Sequence, residues 1–196
     1  MIYRGGDSIK QKEFLCKKCS RVYSSYHNQA SCPSCHTKNK PFVVKPLYCP
    51  YCGSSAYLKH KTEVLSKEKL DMPIGKTMKS EYLYVCKNYP QCDAMVWTYP
   101  GTHIPYGILA DAKLRKKRML AHDCICTIIR LEIMSKSKVY AWLRSCLNYN
   151  KKLMHISKMD HAMCDEVINL MLKVIYMKDK RTYHKLKRKH IILTNK

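Results

Sequence analysis

Two quartets of cysteines in the first half of the chain limit how it can fold more than any other feature. The first is Cys16-Lys-Lys-Cys19 followed, after twelve residues, by Cys32-Pro-Ser-Cys35. Two residues between cysteines let one turn of backbone aim both sulfurs at one ion, and the amides of that turn can hydrogen-bond the thiolates. Two such knuckles make a tetrahedral four-thiolate cage of the kind that holds Zn²⁺. A segment of this size, residues 13–36, is too small to bury a core, so the metal would supply its folding energy. The bland alternative is a set of reduced, uncoordinated cysteines.

The second quartet is Cys49-Pro-Tyr-Cys52-Gly53 with Cys86-Lys-Asn-Tyr-Pro-Gln-Cys92. Gly53 is free to take a positive φ beside the metal. The second half spaces its cysteines by five residues, which is unusual for a knuckle. Strand-like runs cover 56–65, 81–86 and 94–98. Residues 66–80, with Lys67, Lys69, Pro73 and Gly75, read as a long exposed hairpin loop. The pattern predicts a three-stranded zinc ribbon. A cross-module site that shares cysteines with the first quartet is the competing arrangement. With one ion per quartet, the expected cofactors are two structural Zn²⁺, held by Cys16, Cys19, Cys32 and Cys35 and by Cys49, Cys52, Cys86 and Cys92.

Composition places these quartets in a reducing setting. The 196 residues include 12 cysteines, yet the opening stretch is polar and charged and carries no signal-peptide pattern. No apolar run approaches the ~18 residues of a membrane span. The expectation is a cytoplasmic protein with no membrane partner, whose thiols bind metal rather than pair as disulfides. Hydrophobic residues at 46% exclude wholesale disorder. Lys and Arg number 37 against 14 Asp and Glu, a net charge of +23. That balance argues against an acidic scaffold and favours a polyanionic partner.

The motif Cys-Pro-x-Cys-Gly, two strands, then Cys-x-Asn-Tyr-Pro-x-Cys resembles the C-terminal zinc ribbons of bacterial type IA topoisomerases, modules that bind single-stranded DNA. Over residues 48–172 the order of motifs resembles the zinc-finger-containing domain family of phage and bacterial proteins. The matching residues are Cys49-Pro-Tyr-Cys52-Gly53, Val85 through Ala94, Gly101-Thr102 and Gly107-Ile-Leu-Ala110. Leu114-Arg115, Arg118, Ala121-His122, Ala141-Trp142-Leu143 and His155-Ile156 follow. The resemblance implies a zinc-dependent architecture in a bacterial or phage setting, and no particular activity. The N-terminal quartet and the basic C-terminus depart from the family pattern.

After Pro105 the character changes. Residues 108–134 lack Gly and Pro, and Leu109, Ala112, Leu120, Cys124, Ile128 and Leu131 recur at helical spacing. Lys113, Arg115, Lys116, Lys117 and Arg118 place five cations in six positions, wrapping most of the helix. Ser137 reads as the N-cap of a short helix through Leu147, with Val139, Tyr140, Leu143 and Leu147 as its apolar face. A polar loop covers 148–155. Ser157-Lys-Met-Asp160 fits a capping box, followed by a helix over 160–177. Met163, Val167, Leu170, Met171, Val174 and Met177 form its buried stripe, with Asp165, Glu166, Asn169 and Lys173 opposite.

Residues 178–196 read as a tail. Lys178, Lys180, Arg181, Lys185, Lys187, Arg188 and Lys189 face only Asp179, and repulsion favours an extended chain until a polyanion arrives; a solvated tail without a role is the alternative. The whole is an α+β protein. It comprises an N-terminal four-cysteine ribbon (1–45), a second ribbon (46–104), a three-helix segment packed on it (105–177) and the basic tail (178–196).

Four cysteines remain, Cys124, Cys126, Cys146 and Cys164, with His122, His155 and His161 in the same half. Cys124 and Cys126 point to different faces of a helix, which disfavours a third zinc. His122 reads as a packing histidine bonded to backbone. No paired acids, activated nucleophile or phosphate loop stands out, and four-cysteine zinc is closed to substrate, so the expected role is non-catalytic. The favoured function is nucleic-acid binding, DNA or RNA, with single strands preferred over duplex. Candidate contacts are Lys113, Arg115, Lys116, Lys117 and Arg118, then Lys185, Lys187, Arg188 and Lys189. Stacking rings come from Tyr82, Tyr84, Tyr89, Trp97 and Tyr99, half of them outward, with Tyr89, Trp97 and Tyr99 foremost. A stacked base gains ~1–3 kcal/mol. The competing function is a zinc-ribbon adaptor or inhibitor that binds a host protein of transcription, replication or defence.

Overall fold

Short strands alternate with cysteine knuckles through the first half of the chain, and helices take over after Asp111. The computed structural model describes residues 11–19, 21–43, 45–65, 80–150 and 154–195. These divide into two units: the described residues within 1–87 and 96–106, and those within 88–95 and 107–196.

In the first unit, β1 (Lys12–Leu15) pairs antiparallel with β2 (Val22–Ser25), and β3 (Ala30–Ser31) with β4 (Lys38–Asn39). Phe14 is fully buried and stacks on Tyr23, with ring centroids 5.2 Å apart. Buried Asn39 ties the two hairpins together. Its amide nitrogen donates to the Thr37 carbonyl at 2.7 Å and to the Tyr23 hydroxyl at 3.0 Å, and its oxygen accepts from the Lys17 amide at 3.1 Å. One buried phenylalanine and one polar knot are a small core, as expected of a fold that relies on metal.

A third sheet has three strands. Strands β5 (Ala56–His60), β6 (Tyr82–Cys86) and β7 (Met95–Trp97) lie in the order β5-β6-β7, with β5 and β6 antiparallel from Ala56 opposite Cys86 to His60 opposite Tyr82. The three-stranded ribbon is therefore present. Its first strand is shorter than the expected 56–65, because a 3₁₀ turn at Lys61–Glu63 ends it. His60 and Glu63 cap that turn reciprocally. The hairpin loop expected over 66–80 lies, apart from Ser80, outside the described residues. Within the first unit, both carboxylate oxygens of Glu13 accept the His103 amide at 3.0 Å, and the Phe42 amide donates to the Glu13 carbonyl at 2.7 Å.

The second unit is built on four helices: α1 (Ala112–Arg130), α2 (Lys136–Leu147), α3 (His161–Lys178) and α4 (Lys180–Thr194). Leu120, Cys124 and Ile128 of α1, Val139 and Leu143 of α2, and Val167, Ile168, Met171 and Ile175 of α3 close its core. No described helix is long and apolar enough to cross a membrane. Asp111 caps α1 by accepting the Leu114 amide at 2.6 Å, so the helix starts at Ala112 rather than near 108. Ser135, not Ser137, precedes α2. Ser157 lies in a 3₁₀ turn, and Asp160 itself caps α3 through the Met163 amide at 2.9 Å. Met177 is exposed, outside the buried stripe assigned to it.

The largest correction concerns residues 178–196. They are not an extended tail: α4 occupies Lys180–Thr194, capped by the Asp179 carboxylate on the Thr182 amide at 3.0 Å. Tyr183, Leu186, His190 and Leu193 recur at helical spacing, and Leu186 and His190 are buried. Burying a leucine contributes about 1.5–3 kcal/mol, whereas each like-charge pair at i,i+4 costs about 0.2–0.5 kcal/mol. Packing therefore outweighs repulsion, and the described residues hold four α-helices where three were expected.

Candidate metal centres and cationic surface

The sulfurs of Cys16, Cys19, Cys32 and Cys35 all lie within 4.8 Å of one another. Cys16 and Cys35 are 3.5 Å apart, as are Cys19 and Cys32, and Cys19 and Cys35 are 3.7 Å apart. A tetrahedron with Zn–S bonds of about 2.3 Å has edges of about 3.8 Å, while a disulfide bond measures about 2.05 Å. The spacing fits four ligands around one ion, and all four cysteines are free thiols.

The knuckle backbone explains how the sulfurs converge. The Cys16 amide donates to the Arg21 carbonyl at 2.9 Å, the Cys32 amide to the Thr37 carbonyl at 3.0 Å, and the His36 amide to the Cys32 carbonyl at 2.8 Å. His36 takes φ 56° to close its turn. The Ser34 amide donates to the Cys32 sulfur at 3.4 Å. Cys16 is brought down to about 6, first by the backbone amide of Cys19. The Thr37 hydroxyl, 3.3 Å away, lowers Cys35. Cys19 goes the other way: the Arg21 amide favours its thiolate, but burial and the sulfurs of Cys32, Cys16 and Cys35 push it up to about 12. Four anionic sulfurs in so small a volume repel one another, and a divalent cation at their centre resolves the conflict.

The second centre repeats the design. Cys49, Cys52, Cys86 and Cys92 also lie within 4.8 Å of one another, with the same order of burial along the quartet as in the first. Cys52 and Cys86 are 3.3 Å apart. The Cys49 amide donates to the Ser54 carbonyl at 2.8 Å and the Gly53 amide to the Cys49 carbonyl at 2.9 Å. Gly53 adopts φ 71°, the conformation expected of it. The Ser54 amide, ahead of the Cys86 sulfur, draws Cys52 down to about 6. The five residues before Cys92 form a turn closed by its amide on the Asn88 carbonyl at 2.9 Å. Each quartet keeps its own cysteines, and the shared arrangement is not adopted. The two donor sets fit two structural Zn²⁺ ions.

Three cations of the basic run on α1 have partners within their own unit. The Arg115 guanidinium donates to the carbonyls of Ala110 at 2.6 Å and Asp93 at 2.7 Å, and to the Asp93 carboxylate at 2.9 Å. The Arg118 guanidinium donates to the Met159 carbonyl at 2.7 and 2.9 Å and to that of Ile108 at 3.1 Å. Lys117 is buried, its ammonium 2.5 Å from the Asp165 carboxylate. These three cations brace the helical unit. Of the five, Lys116 is exposed and Lys113 half-buried. Asp165, expected on the side of its helix opposite the buried stripe, meets Lys117, and nothing in the sequence signals the pairing of Asp93 with Arg115. On α4, Lys185, Arg188 and Lys189 are exposed and Lys187 is half-buried. Lys189 stands 4.0 Å from Asp123.

Among the rings, Tyr84 is buried and donates its hydroxyl to the His103 carbonyl at 3.1 Å. Trp97 and Tyr99 are half-buried, and Tyr99 meets Tyr106 edge-on at 4.6 Å. Tyr82 and Tyr89 are exposed, together with Tyr48, Tyr51 and Tyr57, which the sequence reading passed over. Cys124 and Cys164 are core residues whose thiols burial pushes up to about 12. Cys126 and Cys146 are exposed. His122 is not a packing histidine: it is exposed, its ring 3.6 Å from the Cys126 sulfur. No third metal cluster occurs among the described residues.

A family model for a zinc-finger-containing domain matches residues 45–174. That span holds the second quartet and reaches into α3, leaving the first quartet and α4 outside. No curated protein and no solved structure matches the chain.

Proposed function

The chain belongs to the zinc-finger-containing domain family, and we propose that this zinc-binding member is a non-catalytic nucleic-acid-binding protein of the bacterial or phage-infected cytoplasm. Single strands are its favoured ligand. One observation carries this reading. If each of the 14 acidic residues neutralised a different cation, 37 − 14 = 23 Lys and Arg would still lack an acidic partner. Asp93 and Asp165 already pair with Arg115 and Lys117 within the helical unit, which leaves that excess of 23 unchanged. A polyphosphate chain is the abundant partner that such an excess attracts, with release of condensed counterions as the driving term.

The supporting parts have distinct roles. Four-thiolate zinc has no open coordination position, so both ions serve to hold the ribbons in shape. Exposed Tyr82 and Tyr89 offer π-faces on which unpaired bases can stack with little sequence preference.

The test is fluorescence anisotropy of a labelled single strand of about 20 nucleotides, and of its duplex, across about 50 to 300 mM salt. The expected result is tight binding at low salt that weakens linearly in log–log form, with the single strand ahead. Absence of binding at the lowest salt overturns the reading and favours a zinc-ribbon adaptor for an acidic protein surface.

A further inference from the structure

We propose that the outer face of α4, along the ridge Arg181, Lys185 and Arg188, is the surface that grips the phosphate backbone. This rests on the nucleic-acid reading above and assigns its principal contact. Helix α4 carries six cations, Lys180, Arg181, Lys185, Lys187, Arg188 and Lys189, and no acid between Lys180 and Thr194. Positions 181, 185 and 188 fall on one side of a helix, at spacings of four and three residues. The structure brings them together: Arg181, Lys185 and Arg188 line one cleft with Thr182 and Asp179. The carboxylate of Asp179 is engaged by the Thr182 amide as the helix cap and lies beside Arg181. Lys185 and Arg188 have no carboxylate within ion-pair distance among the described residues.

Two further points favour an anionic strand on this ridge. Its three cations span about 10 Å of helix, long enough to meet more than one phosphate of a nucleic-acid strand. Cations in the first turn of a helix also oppose its dipole, and like charges three and four residues apart repel. A bound phosphodiester relieves both, so occupancy should also hold α4 more firmly in place through its buried Leu186 and His190. The basic run on α1 cannot take this part, because Arg115, Lys117 and Arg118 are committed internally.

The experiment compares the whole zinc-loaded chain in three forms: wild type, R181Q/K185Q/R188Q, and K113Q/K116Q, each checked for zinc content and helical signal. Anisotropy is read with the same single strand and duplex over a salt series. The proposal expects the α4 variant to lower the slope of log affinity against log salt by about 2 to 3, as loss of three phosphate contacts requires, and the α1 variant to lower it by less than about 1. If the triple variant loses helical signal, K185Q alone replaces it, with an expected drop of about 0.7 to 0.9. Normal wild-type binding with an unchanged slope in the α4 variant overturns the assignment and leaves the function standing. No salt-sensitive binding by wild type removes both.

Discussion

The Lys117 ammonium sits 2.5 Å from one carboxylate oxygen of Asp165, and the His190 ring nitrogen approaches the other at 3.1 Å. This contact joins α1, α3 and α4 at one polar point. Lys117 and His190 are each only 5% exposed at the side chain, Asp165 29%. A buried ammonium that loses its carboxylate is left uncompensated. Asp165→Ala is therefore expected to cost about 3 kcal/mol, the low end for breaking a buried pair because Asp165 keeps some exposure. Urea denaturation followed by helical signal measures this. A Lys117→Met/Asp165→Leu double variant should recover part of the loss, since it removes both charges but leaves buried His190 without its partner.

The same residue sets a pH dependence. Burial alone would raise the Asp165 carboxyl, but hydrogen bonds from Lys117 and His190 outweigh it and hold the group below its ordinary range. A carboxylate lowered on folding adds stability above its unfolded value of about 3.9 and loses it as pH falls through the lower folded value. The stability gap between wild type and Asp165→Asn should shrink as pH falls below about 4. Urea midpoints of the two proteins, measured side by side, read the gap. A gap that widens below about pH 4 contradicts the ion pair.

Both metal centres were legible from sequence because coordination demands particular residue types at short spacings. The strands of the second ribbon were legible for a similar reason, since strand signals bracketed by knuckles leave few alternatives. Lys117 was not, because a lysine among four other cations reads as solvent-facing, and its partner lies 48 residues away. Arg115 was hidden in the same way, 22 residues from Asp93. In α4, the apolar set Tyr183, Leu186, His190 and Leu193 was present all along. The dense charge around it drew the reading toward an extended chain, although its burial outweighs that repulsion.

Glycine positions separate steric from conformational cost. A Cβ on Gly107 would meet the Ser157 carbonyl oxygen at 2.2 Å, where the Ile108 amide already donates to that oxygen at 3.2 Å. Gly107→Ala should therefore destabilise by more than about 2 kcal/mol. Gly101 has open space around its Cβ direction but φ 70°, so Gly101→Ala should cost only about 1 kcal/mol. Chemical denaturation of both variants checks the order, and a larger loss at Gly101 would contradict the packing described.

Zinc and folding should be coupled most tightly in the first ribbon, where Phe14 is the single fully buried aromatic among the described residues. Cys32→Ser should open that ribbon, so that trypsin cuts readily at exposed Lys17 and Lys18, while the helical signal stays at its wild-type level. Limited proteolysis with mass mapping shows the cut sites. Protection of Lys17 and Lys18 in the variant would mean that the ribbon stands without its metal.

Zinc stoichiometry by native mass spectrometry tests the central claim most directly. Two ions per chain are predicted for the wild type, one for Cys32→Ser or Cys86→Ser alone, and none for the two together. A wild-type chain with one ion, or a single variant that loses both, would contradict two independent four-thiolate centres.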